Sequence, residues 1–229
     1  MTEVLIFGLS MFSERIANFI EHGDSVKPFK IKGFIIDDAY YRAENFVGYK
    51  VYRYSETKEN FAGKIPVIVC IGYKNMNENR RNIFSRLQAD GWNIESYISK
   101  LATIFSEDIG TGNFFICKTF IDVKCHIGDG NIFDNGHLNH HSTIGNFNFF
   151  SNNHASGNIT MGDCCFIGTN STLKNGITLH DKTLVGAGCY LNKSTSEQGL
   201  CYSAPKSILL GRSEIAIGYW TKNQNVKGG

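Results

Sequence analysis

At 229 residues, 42% of them apolar, the chain is long enough to bury two compact cores. Its formal net charge of +2, with no block of like charges, argues against nucleic acid or an anionic membrane as the main partner. Its longest apolar stretches, such as Val67–Ile71, are strand-sized and far short of a bilayer span.

The opening Met1-Thr2-Glu3 runs straight into a strand pattern without a basic or cleavable leader, so a cytoplasmic location is expected. Seven cysteines, an odd number with no Cys-x-x-Cys pair, read as reduced thiols rather than disulfides or a zinc knot. Glu3–Phe7 is a first strand ending at Gly8. Ser13–Ile20 has helical spacing, with Ile16, Phe19 and Ile20 on one face. Ile31–Ile36 is a second strand closing on Asp37-Asp38, and Pro66–Ile71 a third closing on Gly72. Asn79–Ala89 is a second helix with Ile83, Phe84 and Leu87 inward, and Ile94–Ile98 a last strand. This alternation predicts a small parallel α/β sheet over residues 1–102.

From about residue 103 a period of six replaces the helical one. Ile109, Phe115, Ile121, Ile127, Phe133, Leu138, Ile144, Phe150, Ala155, Met161, Ile167, Leu173, Leu179, Val185 and Leu191 are all apolar, with five-residue slips at 133–138 and 150–155. The following residue is often glycine (Gly110, Gly128, Gly145, Gly162, Gly168, Gly186), read here as supplying left-handed backbone at sharp corners. Two residues before each apolar position small side chains recur, among them Thr119, Cys125, Ser142, Cys165, Ser171, Thr183 and Cys189, which makes these cysteines corner fillers. Hexads of this kind stack as a parallel β-helix over 103–212, leaving 213–229 as a tail.

Four of the seven histidines, His137, His140, His141 and His154, fall within this region and overlap the two slips. His137 and His154 are separated by one slipped coil of three hexads, which places them on one face, one coil above the other. A neutral imidazole titrates near working pH and suits the deprotonation of an attacking amine or hydroxyl.

Asn135–Gly145 (Asn-Gly-His-Leu-Asn-His-His-Ser-Thr-Ile-Gly), Ser156-Gly157-Asn158, Phe166–Asn170 and Val185–Gly188 carry a resemblance that covers nearly the whole chain. The sequence resembles the left-handed β-helix acetyltransferases whose N-terminal α/β, Rossmann-like domain binds a nucleotide sugar, the sialic-acid, bacillosamine, perosamine and viosamine type. The resemblance implies an acetyl-CoA-dependent N-acetyltransferase acting on a nucleotide-linked amino-deoxysugar for bacterial surface glycan (lipopolysaccharide, O-antigen-type) synthesis, working as a homotrimer without a metal. It implies His140 as general base, with His137, Asn139 or His141 standing where some members carry a carboxylate, and His141 itself as an alternative base. It implies the Gly157 N–H as oxyanion donor, and Gly168, Asn170, Gly186, Ala187 and Gly188 along the pantetheine groove. Phe149 departs from members that have a histidine there.

In the N-terminal half, Gly8-Leu9-Ser10 ends a strand and opens a helix, where a phosphate can be held. Asp37 and Asp38 stand where the family binds the nucleoside, and Lys74 and Asn75 near a diphosphate; the carboxylates read equally as helix caps or surface charge. Ser203-Ala204-Pro205-Lys206 is similar to the family's closing motif. Three other functions stay open: O-acetylation of a sugar hydroxyl, a zinc hydrolyase of carbonic-anhydrase type using His137, His140 or His141, and His154, and a non-catalytic nucleotide-sugar-binding β-helix.

Overall fold

The computed structural model describes residues 1–205; Lys206, the end of the expected coil region and the expected tail at 213–229 lie outside the described residues. β1 (Thr2–Phe7) leads into α1 (Met11–Glu21), β2 (Phe29–Ile36), the short strands β3 (Asn45–Phe46) and β4 (Tyr49–Arg53), α2 (Tyr54–Phe61), β5 (Val67–Val69) and α3 (Glu78–Ala89). The strands form one sheet in the order β3-β4-β2-β1-β5, parallel except for the β3–β4 hairpin. Val4, Leu5, Ile6 and Phe7 are all buried, because α1 covers one face of the sheet and α3 helps to cover the other. Ser10 caps α1 in a reciprocal arrangement with Ser13, and Ile16, Ala17 and Ile20 form its buried side.

Three elements were not expected. The hairpin turns through Val47 and Gly48, both at positive φ (44° and 86°), a mirror-image turn without the usual Asn-Gly signal. α2 has a polar sequence and no cap of its own; the Asp38 carboxylate, 17 residues earlier, accepts from the Ser55 N–H and hydroxyl. The expected strand at 94–98 divides: Ile94 bridges to Val67 of β5, whereas β6 (Tyr97–Ile98) pairs with Phe114–Phe115 and opens the next architecture.

That architecture is a parallel β-helix with three sheets of seven, six and four strands among the described residues. Fourteen of the fifteen hexad positions, Phe115 to Leu191, lie in one buried core, and Ile109 packs against it. Phe133 stacks on Phe115 and Phe150 at centroid distances of 5.4 and 4.3 Å. Register is kept through both slips: His137 pairs with His154, and Ile132 with Phe149. The small fillers are buried as expected, and Asn113, Asn131 and Asn148 extend them as a ladder. The amide of Asn131 donates to the Gly128 and Gly145 carbonyls (3.1 and 3.0 Å), while its oxygen accepts from the Asn148 N–H.

The role assigned to the glycines after each apolar position is corrected. Gly110, Gly128, Gly145, Gly162, Gly168 and Gly186 are not left-handed; the left-handed corners are Gly112, Gly130, Phe147, Cys164, Lys182 and Gly199, then Cys117, Asn135, Asn152, Asn170 and Gly188, then Lys124, His141, Asn158 and Gly176. Those six glycines instead lie close beneath the next coil. A β-carbon on Gly128 would stand 2.8 Å from the Gly145 carbonyl oxygen, and one on Gly145 2.8 Å from that of Gly162.

Two faces of the β-helix are open to solvent, and the N-terminal module packs on the third, burying Phe114, Ile116 and Ile132. Arg80 of α3 joins the modules. It is fully buried, and its guanidinium donates to the carbonyls of Gly130 (2.8 Å), Phe147 (3.0 Å) and, at 3.3 Å, Asn148, Ile71 and Gly72. Burial lowers its pKa to about 9.

Candidate active site

His140 and His141 occupy the third corner, where His141 takes the left-handed conformation (φ 58°). Their peptide is held from both sides, since the His141 N–H donates to Val123 O (3.2 Å) and the His140 carbonyl accepts from the Asn158 N–H (2.9 Å). Both side chains are exposed, with Nδ1 atoms 3.1 Å apart and rings at 84°. The Nδ1–Cε1–Nε2 edge of His140 faces Gly157 on the next coil; a β-carbon there would meet Cε1 at 2.7 Å and Nε2 at 2.9 Å. The Gly157 carbonyl accepts from Gly176 N, whereas its own N–H has no acceptor among the described residues. An imidazole edge thus lies against a glycine whose N–H is without an acceptor among the described residues, and a base and a backbone donor are the two parts that acyl transfer uses at a carbonyl.

His137 does not orient His140. Its Nδ1 lies 3.3 Å from that of His154, its strand partner, and burial, then the His154 charge, lower its pKa below the ordinary imidazole value. These two line an open groove with Lys118, Asn135, Asn152, Asn153 and Asn170. Asn135, Asn152 and Asn170 form a left-handed ladder down this groove, linked side chain to side chain at 2.6 and 3.2 Å. Asn153 is 5% exposed, and neither its amide nor its oxygen has a partner among the described residues.

Of the glycines expected along the pantetheine, Gly168 lies directly under Gly186 and Ala187: a β-carbon on it would stand 2.6 Å from Ala187 N. Gly188 continues the Asn170 ladder at φ 70° and opens a further recess with Tyr190, Ser203, Ala204 and Pro205. Among the described residues no cluster of three or more His, Cys, Asp or Glu side chains is placed to hold a metal ion. The rings needed for a zinc site are divided instead between the 137–154 and 140–141 pairs.

The expected acceptor residues lie at or beyond the C-terminal ends of β1, β2 and β5, and the cleft that holds Asp37 and Asp38 does not include the others. Gly8 (φ 115°) is pressed between the strands, its N–H donating to Ile35 O, and a β-carbon there would lie 2.8 Å from Cys70 O. The strand order reverses at β1, with β2 and β4 added on one side and β5 on the other, all parallel, and such a switch point is where parallel sheets leave a crevice. Ser10 is engaged as the α1 cap. Asp37 pairs with Arg86 (2.5 Å), and both border a cleft with Asp38, Tyr40, Tyr54 and Ser55. Lys74 and Asn75 are exposed on the loop after β5, which runs left-handed through Asn75, Met76 and Asn77.

Contacts that the sequence did not disclose fix this loop on the β-helix. Asn77 donates to the Cys165 carbonyl (3.0 Å), and Tyr73 meets Phe149 and Phe166 edge-on at 5.3 and 5.2 Å. Phe149 is therefore part of an aromatic joint between the modules. Arg15 of α1 grips Asp134 through two nitrogens (2.5 and 2.9 Å). The thiols of Cys164 and Cys165 are pushed up by burial to about 11 and about 12, in keeping with packing roles.

No protein-family model matches the chain, and no curated protein sequence matches it significantly. Solved structures do match. The acetyltransferase domain of PglB from Neisseria gonorrhoeae is 19% identical with a TM-score of 0.73, covering 88% of this chain and 96% of that one. PerB from Caulobacter crescentus, solved with CoA and GDP-perosamine, is 17% identical with a TM-score of 0.72 over 88% and 93%. WeeI from Acinetobacter baumannii is 20% identical with a TM-score of 0.61 over 88% and 96%. The chain has the fold of these β-helix acetyltransferases.

Proposed function

We propose that this chain is an acetyl-CoA-dependent N-acetyltransferase whose acceptor is the amine of a nucleotide-linked amino-deoxysugar. The observation that carries the reading is the packing of the His140 ring edge against Gly157, whose N–H has no acceptor among the described residues. In the step it supports, the amine attacks the thioester carbonyl, forming the C–N bond while His140 Nε2 takes the amine proton. The Gly157 N–H stabilises the oxyanion, the C–S bond breaks, and the proton passes to the departing CoA thiolate. The likeness to PerB, whose structure holds CoA and GDP-perosamine, supports the choice of donor and acceptor.

In this reading the pantetheine runs from the groove of His137 and Asn170 past Gly168, Gly186 and Ala187 to the recess at Gly188, and a second copy in a homotrimer forms its other wall. The exposed Phe105 and Tyr190 on that face favour such a contact. The nucleotide binds at the C-terminal edge of the N-terminal sheet, with Gly8, Ser10, Asp37, Asp38, Lys74 and Asn75 as the residues that meet it. The left-handed coil sense, the Rossmann-like character of the N-terminal module, a cytoplasmic location and a place in surface-glycan synthesis belong to the same proposal.

The test is incubation with acetyl-CoA and a panel of nucleotide-linked 3-amino and 4-amino sugars, following free-thiol release. Release with one acceptor, abolished or strongly reduced in His140→Ala, is the expected result. Absence of release with every aminosugar, alongside measurable acetyl-CoA binding, would overturn amine transfer in favour of a hydroxyl acceptor.

A further inference from the structure

His140 needs a partner at Nδ1 if its Nε2 is to be the basic nitrogen, and the structure supplies an unusual one. Among the described residues no carboxylate lies within hydrogen-bonding distance of either ring of the 140–141 pair. The acid closest along that corner, Asp122, is turned to the Val123 N–H at 2.7 Å. The corner positions on the coils before and after are Lys124 and the uncharged Asn158. What faces His140 Nδ1 is His141 Nδ1 at 3.1 Å. Two ring nitrogens at that separation share one proton: one ring carries N–H and the other accepts.

Resting on the acyltransferase reading, we infer that His141 is the positioning residue for His140, an imidazole standing where a carboxylate would otherwise hold the base. In the resting pair the His140 Nδ1–H donates to His141 Nδ1, leaving His140 Nε2 unprotonated beside Gly157. When Nε2 takes the amine proton, the Nδ1 proton can move to His141 along the same hydrogen bond. The positive charge is then spread over two rings, and the proton returns as the thiolate leaves. A neutral imidazole accepts this hydrogen bond without adding a negative charge. The backbone geometry keeps the pair in register, since the His141 N–H and the His140 carbonyl are tied to the coils on either side.

The left-handed φ of His141 makes the test clean, because Asn and Asp tolerate that conformation well. His141→Ala removes the acceptor and is expected to lower kcat by about 10- to 100-fold with the KM for acetyl-CoA unchanged. His141→Asn restores an acceptor and should recover most of that loss. His141→Asp adds a fixed negative charge and should move the acid limb of the kcat/KM profile to higher pH. Histidine-selective 15N NMR of the wild type, read independently of turnover, should show His140 protonated at Nδ1 and His141 unprotonated there. Full activity in His141→Ala, an acid limb unmoved in His141→Asp, or the opposite tautomers would overturn the inference while leaving the acyltransferase reading intact. If the wild type turns over no acceptor, that reading falls, and the NMR tautomers still decide whether the dyad exists.

Discussion

The imidazole of His140 lies edge-on against the α-carbon of Gly157, with the place of a β-carbon only 2.7 Å from Cε1. Gly157 is not left-handed, so an alanine is permitted by its backbone, and the ring it would strike is exposed and free to swing away. Gly157→Ala should therefore leave the thermal midpoint nearly unchanged while displacing the base and lowering kcat/KM by roughly 100-fold. Steady-state kinetics alongside a thermal melt check this. A fully active variant would show that His140 does not work from this position.

Gly168 predicts the opposite pattern. The atoms nearest its absent β-carbon are the Ala187 nitrogen at 2.6 Å and the Gly186 carbonyl carbon at 2.7 Å, and backbone cannot move aside as a side chain can. Gly168→Ala should wedge two coils apart and cost about 1–3 kcal/mol of stability, with or without acetyl-CoA. Chemical denaturation of the apo protein measures this directly; an unchanged midpoint would return Gly168 to a purely ligand-facing role.

These glycines also show how much was legible in the sequence. Each hexad buries one apolar side chain, so Phe115 through Leu191 advertise the β-helix directly. The glycine signal was equally visible but its cause was not, because coil-to-coil approach and left-handed corners both favour glycine. Corner residues such as Phe147, Cys164 and Lys182 share no side-chain chemistry and so leave no pattern, whereas Asn135, Asn152 and Asn170 are of the type that left-handed backbone favours. The stacking of His137 under His154 follows from repeat length and was readable. The 140–141 pairing depends on ring orientation and was not. α2 escaped because its cap, Asp38, belongs to another segment. Arg80 escaped because its partners are carbonyls, which every residue possesses.

Arg80 ties α3 to the β-helix through hydrogen bonds to backbone carbonyls, and among the described residues no carboxylate is one of its partners. Arg80→Met keeps much of the volume but leaves the carbonyls of Gly130, Phe147 and Ile71 without that donor in a buried seam. A loss of about 3 kcal/mol or more is expected from urea unfolding. Because Ile71 and Gly72 lead into the Lys74–Asn75 loop, the KM for the nucleotide acceptor should rise while that for acetyl-CoA stays the same. Equal changes in both would argue for general loosening instead.

Asp38 offers the pH test. The Ser55 hydroxyl, and after it the Ser55 N–H, hold its carboxyl below the ordinary carboxylate value, so the charged form is favoured in the folded chain. The sign follows from that depression: the contribution is complete above the unfolded value near ~3.9 and fades as pH falls through the lower folded one. Asp38→Ala should therefore melt earlier than the wild type at neutral pH, through loss of the α2 cap. The gap between the two melting curves should then close as the pH is taken below ~4, because the wild-type carboxyl loses its charge there too. A gap that persists unchanged into acid would mean that Asp38 acts through packing rather than through its charge.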